Sequence, residues 1–351
     1  LVINPGSTST KVGVYINEQP LCVSTIRHTV EELMQYEQII DQHDFRQQLV
    51  IDWLKANDIP FEFDAIIGRG GLIKPIPGGV YRVNRKMVYE TYYALRKHAC
   101  NLGCIIAYEL AKQQQNGCKA YIADPVTVDE LLPEARVSGS PLMPRLAIWH
   151  ALNQRAIARR YASEIGSQYE DLNLIICHLG GGISIAAHQK GRAVDANNAL
   201  DGEGPLSPER AGTLPAADLI HLCYSGRYTE DQLKKRVAGQ AGLMAHLGTT
   251  DILQIMQQVE AGDAHAKLLI DAMIFHTAKA IAAEGAVFSG QVDAILITGG
   301  MAHSKYITQG IASRVKFIAP VHLFPGEDEM EALALNALSV LRGECVAKEY
   351  E

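Results

Sequence analysis

The stretch LIICHLGGGIS at residues 174–184 joins a short apolar run to three consecutive glycines. Short β-branched runs bounded by glycine are typical of buried strands. An apolar run that ends in a Gly-rich or hydroxyl-rich loop also occurs in LVINPGSTST at residues 1–10 and in AILITGGMAH at residues 294–303. The sequence therefore predicts three buried strands, each ending in a loop of small or hydroxyl-bearing residues.

The first two of these stretches match each other in detail. When they are aligned, Gly6 matches Gly180 and Thr10 matches Ser184, and both continue as alternating apolar residues. Each copy predicts a β-hairpin whose loop exposes backbone N–H groups and hydroxyls. A duplicated hairpin indicates two similar domains that face each other across a cleft, although two short glycine-containing runs can also match by chance.

Segments of helical periodicity separate the predicted strands. They cover residues 32–57, 87–115, 145–165, 264–288 and 330–342. Alternation of strands and helices indicates an α/β fold, with helices packed on the faces of mixed sheets.

Composition excludes several classes of protein. Among 351 residues, 32 Lys and Arg stand against 39 Asp and Glu, a net charge of −7 without long runs of like charge, which disfavours non-specific nucleic-acid binding. Hydrophobic residues make up 48%, but no run approaches the roughly 18 apolar residues of a membrane span. We find no secretory signal and expect a cytoplasmic protein with neither a membrane nor a nucleic acid as partner.

Two of the loops are candidate phosphate sites. NPGSTSTK at residues 4–11 offers hydroxyl donors and Lys11 but lacks the Gly-Lys pair of a Walker A loop, and an ordinary hairpin turn is the alternative. Three consecutive glycines, Gly180, Gly181 and Gly182, are conformationally costly unless something approaches the backbone closely, and a phosphate would do so. Residues 297–306 repeat this arrangement, and a nucleoside ring could lie there on the backbone; a plain turn is the alternative.

Several charged residues stand at predicted strand ends or in open loops. Arg69 lies among glycines and Arg210 in a Pro- and Gly-rich loop, where each could bind a carboxylate or phosphate in bidentate fashion or form a surface ion pair. Asp124 follows an apolar run, at the strand end where α/β proteins concentrate their sites. The acids of FPGEDEMEALALNAL at residues 324–338 either complement a helix dipole or contact Mg²⁺.

With these residues assembled, the chain resembles the acetate and butyrate kinase family, within the larger group of acetate and sugar kinases, heat-shock ATPases and actin. The strings LVINPGSTSTK, GRGGLIKPIPGGVY, HLGGGISIAAHQKGRAVDANNALDGEGPLSPERAGTLP and FPGEDEMEALA carry the resemblance over essentially the whole chain. It implies two actin-like, ribonuclease H-like domains with a nucleotide cleft between them. The acyl-side domain would comprise residues 1–128 and 329–351, and the nucleotide-side domain residues 129–328.

The resemblance also implies the chemistry, a reversible ATP-dependent phosphorylation of a short-chain carboxylate to an acyl phosphate, with Mg²⁺. The family's substrates make butyrate or a branched analogue the expected acid. Acetate or propionate kinase activity, a non-catalytic nucleotide switch and a sugar kinase are the alternatives. Family likeness further implies a homodimer or a higher homo-oligomer.

Residue by residue, the resemblance implies the following roles. Near Mg²⁺ would lie Asn4 and one acid among Glu327, Asp328 and Glu329, of which Glu327 and Glu329 are the chosen candidates. The nucleotide would be bound by three sets of residues: the phosphates would face Lys11, His178, Gly180, Gly181 and Gly182, the adenosine would be bordered by Gly299, Gly300 and Met301, and Asp251 would be a further contact. In the reaction itself, Arg69 would hold the substrate carboxylate, Arg210 and His150 would stabilise the transferring phosphoryl group, and Asp124 would be the catalytic aspartate. Leu253 departs from the family's frequent Arg.

The residues after Arg69 bear on acyl length. Acetate kinases usually carry two valines there, whereas this chain has Gly70 and Gly71. The loss of bulk predicts a roomier acyl pocket. Since each buried methylene contributes about 0.8 kcal/mol, such a pocket would favour butyrate over acetate.

Overall fold

A computed structural model describes residues 1–94 and 96–351. Its internal contacts divide the chain into two compact units. The first unit consists of Leu1–Val128, Ala151–Asn153 and Asp328–Glu351, and the second of Asp129–His150 and Gln154–Glu327. Each unit contains its own mixed sheet and its own hydrophobic core.

The first unit is built on a seven-stranded sheet in the order β12-β5-β6-β4-β1-β2-β3. Its strands are β1 (Val2–Pro5), β2 (Ser9–Ile16), β3 (Gln19–Arg27), β4 (Ala65–Arg69), β5 (Val80–Arg82), β6 (Lys119–Ala123) and β12 (Lys348–Glu349). Strands β1 and β2 form an antiparallel hairpin, and β4 lies parallel to β1 on its other side. The ends of β1, β4 and β6 therefore lie at one edge of the sheet, because these three strands run parallel.

Helices cover this sheet. They are α1 (Val30–Leu33), α2 (His43–Ala56), α3 (Arg85–Tyr92), α4 (Asn101–Lys112) and α13 (Glu329–Leu341), with a 3₁₀ turn at Ile39–Gln42. Helix α4 is apolar on nearly all sides, and a helix of that kind belongs in a core. It packs against β4, β6 and β1.

Two glycines allow α4 to approach β4 closely. A Cβ atom on Gly68 would overlap the carbonyl oxygen of Gly103, and one on Gly103 would lie 2.5 Å from the carbonyl oxygen of Arg69. Real Cβ atoms do not approach backbone so closely. The position of Arg69 at the end of β4 thus depends on a helix–strand contact that only glycine permits.

The second unit has a five-stranded sheet in the order β11-β10-β7-β8-β9. Its strands are β7 (Asn173–Leu179), β8 (Ile183–Gln189), β9 (Arg192–Ala196), β10 (Ala294–Gly299) and β11 (Val321–Pro325). Strands β7 and β8 form an antiparallel hairpin, and β10 lies parallel to β7. A hairpin flanked by a parallel strand is therefore common to both units, which confirms the predicted hairpin duplication.

Eight further helices complete the described chain. They are α5 (Pro133–Arg136), α6 (Ala151–Glu164), α7 (Ala216–Cys223), α8 (Glu230–Val237), α9 (Gly242–Leu247), α10 (Ile252–Glu260), α11 (Ala264–Glu284) and α12 (Lys305–Val315), and 3₁₀ turns occur at Tyr169–Asp171, Gly285–Phe288 and Gly300–His303. Helix α11 buries one face against β7 and β8, and α12 packs on α11. Across residues 1–94 and 96–351, no helix is both long and apolar enough to cross a bilayer.

The fold class is as predicted, an α/β chain with mixed sheets flanked by helices, but several helix limits differ. The segment 32–57 divides into α1, a 3₁₀ turn and α2, and the segment 87–115 divides into α3 and α4. Helix α6 begins only at Ala151, because residues 145–150 run irregularly to a bridge between Ile148 and Asn198. Periodicity alone does not locate such breaks.

The contact between α4 and β4 leads to a stability prediction. We expect Gly68→Ala to lower the free energy of unfolding by about 1–3 kcal/mol, because the added methyl group overlaps backbone that cannot rotate away. Gly139→Ala is the control, since a Cβ there meets nothing within 4 Å. Thermal unfolding of the two variants measures the difference; equal midpoints would contradict the prediction.

A buried carboxyl group at the end of α11 predicts a pH dependence of stability. Burial raises the pKa of Glu284 from 4.5 to about 8, and the nearby carboxylates of Asp195 and Glu203 act in the same direction against Arg145. Between these two pH values the folded protein binds more protons than the unfolded chain, so stability falls as the pH rises.

Replacing Glu284 by Gln removes this effect. We expect Glu284→Gln to unfold like the wild type near pH 4.5 and to become more stable relative to it up to about pH 8, with a constant difference beyond. Thermal unfolding measured across this pH range tests the prediction. A difference that did not change with pH would contradict it.

Candidate functional site

In the first unit, three candidate residues meet at one carboxylate. Glu329 opens α13 and is buried, and its Oε2 accepts a hydrogen bond from Asn4 Nδ2 at 2.8 Å. Arg69, at the end of β4, donates from Nη1 to the same oxygen. A buried carboxylate requires such partners, and these two draw the ends of β1 and β4 to the start of α13. The structure thus brings together Asn4, Arg69 and Glu329.

The two glycines after Arg69 do not open a pocket at their Cβ positions. A Cβ on Gly70 would lie 2.6 Å from Pro125 Cβ, and one on Gly71 would lie 2.6 Å from Asn101 Cα. Protein atoms already occupy the volume that valine side chains would fill. The interpretation of Gly70 and Gly71 as extra acyl space is therefore wrong, because these glycines serve close packing against Pro125 and α4.

Asp124 lies directly after β6, one strand away from Arg69. It is buried and has a positive φ of 38°, which is rare outside glycine. Its Oδ1 accepts from the Gly79 backbone N–H at 2.7 Å, and its own N–H donates to the Gly79 carbonyl at 3.0 Å. These paired bonds hold both Asp124 and the loop before β5.

The hairpin loop of residues 6–10 rests on a buried cation that the sequence analysis missed. Arg46, on α2, donates from Nη1 to the carbonyl oxygens of Gly6 and Ser9 at 2.7 and 3.0 Å. It also donates from Nη2 to the Ser7 carbonyl, while Gln42 accepts from both Nε and Nη2. No carboxylate of the described chain pairs with it, and burial lowers the pKa of Arg46 to about 10.

This arrangement turns the loop's carbonyl groups inward to a positive charge. A cation beneath a loop, together with the hydroxyls of that loop and the exposed Lys11 of β2, favours an anion on the outer side. The sequence does contain a signal for Arg46, since it lies at helical spacing with the buried Val50 and Leu54 on α2. A charged residue on the apolar, buried face of a helix indicates that its side chain has polar partners in the interior.

In the second unit, the central hairpin places His178 beside the glycine loop. His178 is fully buried near the end of β7, and its Nε2 lies 3.0 Å from Glu327 Oε1. The His150 ring stacks on it, with centroids 3.8 Å apart and planes inclined by 12°. Candidate residues separated by up to 177 positions thus form one group, His150, His178 and Glu327.

Charged side chains pack directly against two glycines of this loop, Gly181 and Gly182. A Cβ on Gly182 would overlap the Arg210 guanidinium, and a Cβ on Gly181 would lie 3.1–3.3 Å from the carboxylate of Glu209, a residue that the sequence analysis did not select. Ser207 Oγ donates to the Gly181 carbonyl at 2.7 Å. Arg210 is held by a bond from Nη1 to the Ala199 carbonyl at 2.7 Å, and burial lowers its pKa.

The other nucleotide candidates lie apart from this group in sequence. Gly299 has a φ of 94° at the end of β10, and a Cβ there would overlap the Leu179 carbonyl group, so only glycine fits next to β7. Gly300 has nothing within 4 Å of a Cβ, and Met301 is buried. Asp251 caps α10 by accepting from Leu253 N–H at 2.9 Å, which gives it a structural role of its own.

Metal ligation is less defined than phosphate binding. Within residues 1–94 and 96–351, no three His, Cys, Asp or Glu side chains form a ready metal cluster. Mg²⁺ commonly uses only one or two carboxylates together with substrate phosphates and water. In the first unit, the amide of Asn4 and the carboxylate of Glu329, which share a hydrogen bond, offer oxygens of that kind.

Comparison with known proteins identifies the class to which this fold belongs. The acetate kinase of Porphyromonas gingivalis superposes with a TM-score of 0.79 at 17% sequence identity, covering 97% of this chain and 99% of that one. The fold is therefore the actin-like fold of the acetate kinases, as predicted. A model of the acetokinase family matches residues 147–319.

Full-length relatives narrow this result. The chain is 63% identical over 351 residues to a probable butyrate kinase of Bacteroides thetaiotaomicron, covering 100% of this chain and 99% of the relative. It is 48% identical to butyrate kinase 2 of Clostridium acetobutylicum, again over 100% of this chain and 99% of the relative. The chain belongs to the acetokinase family and stands among relatives that are named butyrate kinases.

The buried cation beneath the first hairpin loop yields a prediction. We expect Arg46→Met to lower the free energy of unfolding by about 3 kcal/mol or more, because three backbone carbonyls and Gln42 lose a charged donor. Arg85→Met is the control, since Arg85 is exposed and should change stability by less than about 0.5 kcal/mol. Thermal and urea unfolding measure both; an Arg46→Met protein as stable as the control would contradict the assignment.

Proposed function

We propose that this protein is a butyrate kinase, which transfers the γ-phosphoryl group of ATP reversibly to a short-chain carboxylate. The observation that carries the proposal is the Arg210 guanidinium packed directly on Gly182, in a triple-glycine loop beside His178. A cation held against a glycine loop is suited to a phosphoryl group that gains charge during transfer. The names of the full-length relatives supply the substrate class.

The reaction needs little acid or base chemistry. A carboxylate oxygen of the acid attacks the γ-phosphorus, the bond from phosphorus to the oxygen of the β-phosphate breaks, and ADP leaves with the electron pair. No proton has to be removed, since the acid is already ionised. Catalysis therefore consists of positioning and of offsetting the repulsion between two anions.

Arg69 is the proposed ligand of the substrate carboxylate. In the structure its guanidinium already binds a carboxylate, that of Glu329, at a buried strand end. Such a fork of donors matches carboxylate geometry. Asp124 holds the neighbouring strand end in place and is our candidate for the family's catalytic aspartate.

The phosphate chain is assigned to the loop residues that the family resemblance selects. His178 and the loop of Gly180, Gly181 and Gly182, in which the Gly180 N–H donates to the Gly182 carbonyl at 3.1 Å, would face the phosphates, as would Lys11. Arg210 and His150 would neutralise the transferring phosphoryl group. Gly299, Gly300 and Met301 would border the adenosine, with Asp251 as a further nucleotide contact.

Mg²⁺ is part of the proposal. It would be held by oxygens of Asn4, Glu327 and Glu329, and when bound it neutralises phosphate charge. Asn4 and Arg69 already share one Glu329 oxygen, so this carboxylate is oriented without the ion. Orientation by protein partners is common for groups that contact metals.

Location and assembly follow from the same function. We place the enzyme in the cytoplasm, where ATP and short-chain acids meet, and expect a homodimer or a higher homo-oligomer. Light scattering checks the second expectation, since multiples of the 38.3 kDa chain are easily resolved.

The substrate series gives the first test of this function. We expect acyl phosphate, trapped as its hydroxamate, to form from ATP and Mg²⁺ with a maximum at four or five carbons when acetate through valerate, isobutyrate and isovalerate are compared. Each additional buried methylene contributes about 0.8 kcal/mol, or nearly a factor of four. Activity restricted to acetate and propionate would replace the butyrate assignment, and no product with any acid would favour a nucleotide switch.

Arginine variants test the mechanism. We expect Arg210→Ala and Arg69→Ala each to reduce kcat/KM by about 10³-fold, because each removes a charge that offsets anionic repulsion. Arg69→Ala also takes a partner from the buried Glu329, so its activity is measured at a temperature where circular dichroism shows the variant folded. Arg227→Ala, at an exposed arginine of the second unit, is the control and should retain full activity. Wild-type turnover by either site variant would remove that arginine from the mechanism.

A further inference from the structure

A chain of buried hydrogen bonds runs through the second unit and ends at His150. Gln154 lies one turn after His150 at the start of α6, and His188 lies four residues after Ser184 on one face of β8. The two pairs contact each other alternately: Ser184 bonds to both His150 and Gln154, and Gln154 bonds in turn to His188. Tyr169, in a 3₁₀ turn, closes the far end with its hydroxyl 2.6 Å from His188 Nδ1. Ser184, Gln154 and His188 are fully buried.

The amide of Gln154 has only one orientation compatible with its neighbours. Its Nε2 lies 3.2 Å from the backbone carbonyl of Ser184, a group that can only accept. The amide nitrogen must therefore face β8 at this point, and it also donates to Ser184 Oγ at 2.9 Å. The amide oxygen then faces His188 Nε2 at 3.0 Å and must accept from it.

The same logic determines the hydrogens on His188 and Tyr169. His188 bears its hydrogen on Nε2, the atom that donates to Gln154. Burial, reinforced by Arg155 and Arg159, lowers the pKa of His188 well below its ordinary range, so the ring is neutral and Nδ1 carries no hydrogen. Tyr169 must consequently donate its hydroxyl hydrogen to Nδ1.

At the other end, the hydroxyl of Ser184 can donate in only one direction. Its oxygen accepts from Gln154 Nε2 at 2.9 Å and from the His150 backbone N–H at 3.3 Å. Its own hydrogen is left for His150 Nδ1, which lies 2.8 Å away. A hydroxyl has two acceptor positions and one donor, and all three are used.

We propose that Ser184, Gln154, His188 and Tyr169 are positioning residues that hold His150 as the tautomer with its hydrogen on Nε2. His150 is thereby a donor at Nε2 and offers that hydrogen to an oxygen of the transferring phosphoryl group. A hydrogen on His150 Nδ1 would point at the hydroxyl hydrogen of Ser184, and the hydrogen bond between these two side chains would be lost. The stacked His178 ring fixes the plane of the imidazole, and the hydrogen-bond chain fixes which nitrogen donates.

This inference rests on the proposed function only in its last step, the role of the donor in phosphoryl transfer. Hydrogen-bond partners that orient a functional imidazole are important in other proteins. At metal sites, the loss of one such partner lowers metal affinity or activity by about 10–100-fold. The assignment of the tautomer itself needs no turnover. The two parts can therefore be tested separately.

The tautomer is measured on the full chain. Protein labelled with ¹⁵N at its histidines is examined by long-range ¹H–¹⁵N correlation at neutral pH, and the His150 signals are assigned by their loss in His150→Gln. We expect His150 to show a hydrogen-bearing Nε2 and an unprotonated Nδ1. A hydrogen on Nδ1, or a mixture of both forms, overturns the proposal whether or not the protein is a kinase.

Enzyme kinetics test the consequence. We expect Ser184→Ala to mix the tautomers of His150 and to lower kcat about 10–100-fold, with KM values for ATP and the acid changed less than about twofold, because the interaction acts in the transition state. Ser184→Thr, which restores the hydroxyl, should recover the single tautomer and part of kcat.

Thr277→Ala is the matched control. Thr277 is fully buried in the same unit, and its hydroxyl donates to the Met273 carbonyl at 2.7 Å within α11, outside the chain to His150. It should keep the wild-type tautomer and kcat. Equal losses of kcat in Ser184→Ala and Thr277→Ala would show a general packing effect and overturn the positioning role, as would wild-type kcat in both.

Discussion

The buried carboxylate of Glu329 is the interaction on which the first unit depends. It accepts from Asn4 and Arg69, residues 325 and 260 positions away in sequence, and so joins the last long helix to the two central parallel strands. A carboxylate removed from water requires charged or polar partners, and removing them would leave a charge in an apolar setting. The ends of these two strands and the start of the helix are therefore held by a single carboxylate, which is also a candidate Mg²⁺ ligand.

Both units support a backbone loop with a cation. Under the hairpin loop of the first unit, Arg46 donates to backbone carbonyl groups, and no carboxylate among the residues that the structure describes pairs with it. In the second unit, Arg210 lies on Gly182 and is held by a carbonyl as well. An arginine held by neutral acceptors, as Arg46 is, keeps its charge available for an anion, which an ion pair would cancel. In the proposed function, these cations would attract phosphate to a protein whose net charge is −7.

The sequence analysis succeeded where the signal was local and failed where it was not. Strands, glycine loops and the hairpin duplication were predicted, because apolar runs ending in glycine describe local structure. Gly70 and Gly71 were misinterpreted, since a glycine serves open space and close packing equally well and only the neighbours Pro125 and Asn101 distinguish them. Arg46 and Glu209 were missed because their meaning depends on loops distant in sequence, and the kinase roles proposed for Arg69 and Arg210 stay predictions.

By itself, the sequence determined the α/β class, the two hairpins and the residues that could bear phosphate chemistry, because short-range patterning dictates strands, turns and available side chains. The tertiary structure decided which of these residues meet. It brought Asn4 and Arg69 to one oxygen of Glu329, stacked His150 on His178, and joined Ser184 and Gln154 into a directed chain of hydrogen bonds. Directionality of that kind arises only when donors and acceptors from a helix and a strand interleave, and no spacing within either element encodes it.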